Sequence, residues 1–76
     1  MSGLHNLKPQ GVVKAFEKAG WNVVRQTGSH VILSREGHPC VLSIPVHKGK
    51  PMKQGLLRKL LELAGMSVDA FLKLYT

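Results

Sequence analysis

The chain has 76 residues, of which eleven are Lys or Arg, four Asp or Glu and one Cys, for a net charge of +7. A chain of this length buries only about 60–65% of the surface it exposes when unfolded, which leaves room for one small core and one site. The single Cys40 excludes an internal disulfide framework and a zinc site built on thiolates. No run of 18 apolar residues could span a bilayer, and the N-terminal stretch has no apolar signal-peptide core, so a cytoplasmic location is expected.

Residues 1–7 show no periodicity and are expected to form a flexible N-terminal segment ahead of one domain over 8–76. Pro9 suits a first helical turn, where its missing N–H costs nothing. Val12, Val13, Phe16 and Ala19 recur at spacings of three and four, and Gly20 follows as a left-handed stop, so a helix is predicted over 9–19. Residues 21–27 read as a strand, broken by Gly28 and Ser29. A second strand covers 31–35. Glu36 to Pro39 form a turn, and a third strand covers 40–44 before Pro45. A basic loop, His47 to Pro51, leads into a helix over about 53–64 whose buried stripe is Leu56, Leu57, Leu60, Leu61 and Ala64. Gly65 ends it. Ser67 is placed to cap a short last helix, 68–74, with Val68, Phe71 and Leu72 inward. The expected class is therefore α+β: α-β-β-β-α, a three-stranded antiparallel sheet with helices on one face, plus a short C-terminal helix.

The turn at 36–39 sets a register for the second hairpin. If Arg35 faces Cys40, Leu33 faces Leu42 and Val31 faces Ile44, all apolar and on one face, with Cys40 a small buried hydrophobe. The other face then holds His30, Ile32, Ser34, Val41, Ser43 and Pro45. His30 lies opposite Pro45, and an extended chain would bring His47 to the same face. A slip of one residue would separate the two histidines. The register of the first hairpin stays open, because Val23 and Val24 can be read either way.

The excess positive charge points to an anionic partner, with nucleic acid first. Lys48, Lys50 and Lys53 fall within six residues at the start of a helix, where lysines and backbone N–H groups together suit phosphate. Histidine both takes and gives a proton near neutrality. Two histidines beside cations could cleave RNA by activating the ribose 2′-OH, with no metal or other cofactor required. DNA lacks that hydroxyl. His5 and His38 read as ordinary polar residues. A zinc site from His30, His38 and His47 has no helical spacing and no fourth ligand. Serine-triad and nucleotide-loop motifs are missing from the sequence.

The run Ala15-Phe16-Glu17-Lys18-Ala19-Gly20-Trp21 is followed by Gly28-Ser29-His30, then Ile44-Pro45-Val46-His47. Lys48-Gly49-Lys50, Gly55-Leu56-Leu57-Arg58 and Leu63-Ala64-Gly65-Met66-Ser67 complete a set of motifs over about residues 8–73. This set resembles the HicA (YcfA-like) toxin family of toxin–antitoxin systems. The resemblance implies a fold similar to double-stranded-RNA-binding domains and an endoribonuclease acting on mRNA. It implies that His30 of Gly28-Ser29-His30 is the catalytic residue and that His47 contributes to substrate binding or proton transfer. Gly28 and Ser29 would support the site, with Arg25, Lys48, Lys50 and Lys53 on RNA phosphates and no metal. It also implies a HicB-type antitoxin as partner, and no membrane. Trp21 stands where Phe is commoner, and Leu56 where Thr is commoner. The alternative is a non-catalytic module holding double-stranded RNA, which normally needs contacts spread over about 16 base pairs.

Overall fold

The structure, a computed structural model, describes residues 7–46 and 50–75. The element order is α1 (Pro9–Lys18), β1 (Asn22–Thr27), β2 (His30–Ser34), β3 (Leu42–Pro45), α2 (Gln54–Ala64) and α3 (Val68–Leu74). This is the expected α+β architecture, with a sheet in the order β1-β2-β3 and both pairs antiparallel.

Local chemistry ends each helix where the sequence turns. Pro9 occupies the start of α1. At its other end Gly20 takes φ +102°, which a glycine adopts without a Cβ clash. The Gly20 N–H then bonds the Glu17 carbonyl at 3.1 Å and the Trp21 N–H bonds the Phe16 carbonyl at 3.1 Å. This paired closure is completed by an edge-to-face contact between the Phe16 and Trp21 rings, centroids 6.4 Å apart. Gly65 repeats the device after α2 with φ +71°, the Met66 N–H reaching the Leu61 carbonyl at 2.9 Å. The Ser67 hydroxyl accepts from the Ala70 N–H at 3.1 Å and caps α3.

The core lies on one side of the sheet. Leu33, Leu42 and Ile44 project from the strands and are fully buried, against Phe16 from α1, Leu57 from α2 and Phe71 from α3. Each such side chain contributes about 1.5–3 kcal/mol on burial. The Phe16–Phe71 ring contact at 5.2 Å locks α3 onto α1. Tyr75 extends that lock. Its hydroxyl accepts the Lys8 N–H at 2.9 Å, and its ring lies so close to Gly11 that an added Cβ would stand 2.5 Å from Cε2.

Leu7 is buried, and its carbonyl accepts the Met52 N–H at 2.8 Å. Residues 1–6, the rest of the segment expected to be flexible, lie outside the described residues. Two expectations are corrected. Cys40 is half-buried and precedes β3, which begins at Leu42, because the Cys40 N–H turns toward His38 Nδ1 at 3.4 Å instead of pairing in the sheet. Pro45 ends inside β3 rather than beyond it; β3 is an edge strand, where a missing N–H is tolerated.

Candidate active site on the uncovered sheet face

The pairing of the strands lays out the face that the helices leave open. His30 pairs with Thr27 on β1 and with Pro45 on β3. Two residues further along, Ile32 pairs with Arg25 and Ser43, and beyond it Ser34 pairs with Asn22. The register of β2 with β3 is the one the turn predicts: Leu33 opposite Leu42 and Val31 opposite Ile44, with His30 exposed on the other side.

The first hairpin resolves the open choice between Val23 and Val24 through a bulge. Val23 pairs with Leu33 and Arg25 with Ile32, so Val24 is the extra residue between them. Val23 stays in phase with the core face, and Arg25 and Thr27 stay in phase with His30. Val24 is left 58% exposed beside Arg25. Arg25 is a diagonal neighbour of His30, a relation that places side-chain bases roughly 7–8 Å apart, within reach of a long guanidinium arm. Thr27, directly across from His30, is a site neighbour that the sequence reading did not single out. Its face is fixed by the two-residue turn that sets it opposite His30, while the bulge further along β1 shifts only Asn22 and Val23.

Gly28 and Ser29 form the two-residue connection between Thr27 and His30. Ser29 Oγ lies 3.3 Å from His30 Nδ1. If the ring carries its proton on Nδ1, that proton is held by Ser29 and Nε2 is free to accept another. If the hydroxyl donates instead, Nε2 carries the proton and can deliver it. The contact therefore orients the imidazole for either half of an acid–base cycle. The φ of Gly28 is not left-handed, and no described atom lies within 4 Å of where a Cβ would stand. Neither the backbone nor the packing of the described residues asks for glycine at this exposed position.

The Ser29 carbonyl accepts the Val46 N–H at 2.6 Å, which joins the Gly28-Ser29 turn to the end of β3. His47 and Lys48 follow Val46 and lie outside the described residues. Lys50 and Lys53 are both exposed, and Lys53 immediately precedes α2. They flank an open groove of about 280 Å³. Pro9 of α1, Pro45 of β3 and Pro51, Met52 and Leu56 supply its apolar lining. One wall of the groove, Pro45, is also the cross-strand partner of His30, although His30 itself does not line it.

His38, read as an ordinary polar residue, instead packs on the Trp21 ring with centroids 4.9 Å apart, well away from His30 in the chain of pairings. Among the described residues no group of three His, Cys, Asp or Glu side chains is placed to hold a metal ion. Nor is any described helix long and apolar enough to cross a membrane.

A three-stranded sheet backed by helices, with an exposed histidine and arginine on its open face, defines a small α+β domain with a solvent-facing polar site. The family described as HicA toxin of bacterial toxin-antitoxin systems matches residues 10–66, three quarters of the chain. The chain belongs to the HicA toxin family. A search of curated proteins returned no match. Membership implies an antitoxin partner of the HicB type.

Proposed function

We propose that this chain is a toxin endoribonuclease that cleaves mRNA at His30. The observation that carries the reading is the setting of His30: exposed, oriented by Ser29 through Nδ1, and on the same uncovered face as Arg25. Family membership supports the toxin role, and the charge of +7 supports a polyanionic substrate.

The cleavage uses a nucleophile that the substrate brings. His30 Nε2 takes the proton from a ribose 2′-OH, and the oxygen attacks the adjacent phosphorus in line. The P–O5′ bond breaks, leaving a 2′,3′-cyclic phosphate on one fragment and a 5′-OH on the other once the leaving oxygen is protonated. His47 is our proposed donor of that second proton or a substrate contact. Arg25, Lys50 and Lys53, with Lys48, carry the charge that builds on the phosphoryl oxygens. Gly28 leaves room for the RNA backbone to approach the turn beside His30. A HicB-type antitoxin that is acidic where it meets this face would compete with RNA for it. Such a toxin would act in the cytoplasm, where mRNA is found.

The test is cleavage of single-stranded mRNA by the purified chain in EDTA, beside His30→Ala with its circular dichroism unchanged. Cutting by the wild type and none by the variant is expected. RNA binding without cutting would establish the double-stranded-RNA module instead, and cutting that EDTA stops would refute the metal-independent route.

A further inference from the structure

We infer that the groove beside His30 is a subsite for one nucleobase, and that it sets the base preferred next to the cut. The inference rests on the ribonuclease reading for which molecule enters, and on the groove itself for what is bound.

Two kinds of surface meet in the groove. Its lining from Pro9, Pro45, Pro51, Met52 and Leu56 is apolar, and the charged residues that flank it, Lys50 and Lys53, are both cations. An inorganic phosphate would use the lysines and leave the apolar lining idle. An aliphatic chain would use the lining and leave the lysines idle. A nucleotide uses both: the flat face of its base lies against pyrrolidine rings and a thioether, and its phosphate reaches an ammonium group. Methionine sulfur makes favourable contacts with aromatic rings, so Met52 suits a base.

Size and stiffness fit the same occupant. About 280 Å³ lies just below the roughly 300–1,000 Å³ range of small-molecule pockets, a size for one base and too little for a longer stretch. Proline fixes its own backbone angle, so three of the lining residues are rigid. The Met52 N–H is held by the Leu7 carbonyl at 2.8 Å, and Met52 is itself buried, which holds that wall in place before any ligand arrives.

Position supplies the link to chemistry. Pro45 lines the groove and pairs across the sheet with His30, and directly opposed side chains start about 4.5–5.5 Å apart. A base seated against Pro45 therefore brings the phosphate of its own nucleotide to the histidine. The groove would read the base while His30 acts on the backbone.

The experiment is a two-dimensional amide NMR titration of the full chain with each of the four 5′-nucleoside monophosphates, with inorganic phosphate as control. Nucleotides are expected to shift Met52, Lys53 and Leu56, with at least one base binding several-fold tighter than the weakest, while phosphate leaves Met52 and Leu56 unmoved. Leu56→Trp, which fills the groove, should weaken nucleotide binding at least tenfold and flatten the base preference in a map of cut sites. Lys53→Ala, at an exposed position that tolerates truncation, should weaken all four nucleotides and keep their order, which covers the case in which the tryptophan variant does not fold. Identical shifts from phosphate and all four nucleotides would overturn the subsite. Nucleotide binding in the groove by a protein that cuts no RNA would uphold the base pocket and sink the ribonuclease reading. RNA cutting with no response at Met52 or Leu56 would do the reverse.

Discussion

The Ser29 carbonyl accepts the Val46 N–H at 2.6 Å, one residue past the His30–Pro45 pair. That bond joins residues seventeen positions apart, in the Gly28-Ser29-His30 turn and at the exit of β3, both of which carry candidate site residues. Val46→Pro removes the donor and keeps an extended backbone. Loss of one such bond costs about 0.5–1.5 kcal/mol of stability. Cleavage is expected to fall more than tenfold, because the turn and the β3 exit are no longer held together. Urea denaturation and a cleavage time course on the same preparation separate the two effects. Equal rates in wild type and variant would show that the bond is dispensable to the site.

Arg25 owes its place beside His30 to its pairing with Ile32 after the bulge. Arg25→Ala should leave stability within about 0.5 kcal/mol, as at other exposed positions. It should lower the cleavage rate by about 10²-fold, the scale of removing one charge-stabilising donor. Arg25→Lys should restore part of the loss, since it keeps the charge and loses the planar fork. A wild-type rate for Arg25→Ala would remove it from the site.

Gly28 gives a cleaner separation of folding from function. Its φ and its empty surroundings accept a methyl group, so Gly28→Ala should not lower the melting temperature. The bulkier Gly28→Val should leave the fold in place and reduce cleavage further than Ala does, in order of side-chain volume. A loss of stability with no change in cleavage would show that the glycine serves the turn.

Gly11 is the opposite case. An alanine there gains about 1 kcal/mol of helix propensity but meets the Tyr75 ring at 2.5 Å. Gly11→Ala should therefore destabilise the domain in urea by about 1 kcal/mol, with the tyrosine displaced from the Lys8 N–H. In the Tyr75→Ala background the same change should become stabilising. Additive effects of the two substitutions would refute the contact.

Much of this architecture is legible in the sequence because it rests on local signals. Gly20, Gly65 and Ser67 mark helix ends that the structure places within a residue of expectation, and the four-residue turn before Cys40 fixes the register that exposes His30. What escaped reading depends on contacts between distant residues. Nothing near Leu7 announces a bond to Met52. His38 looks like a turn-tip residue until Trp21 is brought under it. The bulge at Val24 is invisible because a bulge shifts phase by one, and neighbouring identical valines fit both phases. Arg25 could be nominated by its charge, but its face follows only once Gly28-Ser29 is known to be a two-residue turn that pairs Thr27 with His30.

The Trp21–His38 stack has a practical consequence. Trp21 is the single tryptophan of the chain, it is 1% exposed, and among the described residues its Nε1 is the buried side-chain nitrogen with no hydrogen-bond partner. Intrinsic emission therefore comes from one indole in an apolar setting, with an imidazole 4.9 Å away. The spectrum will register detachment of the 36–40 turn as well as global unfolding, and His38→Ala will tell the two apart. The molecule thus carries its own optical gauge, at the end of the sheet away from His30, where substrate should not disturb the reading.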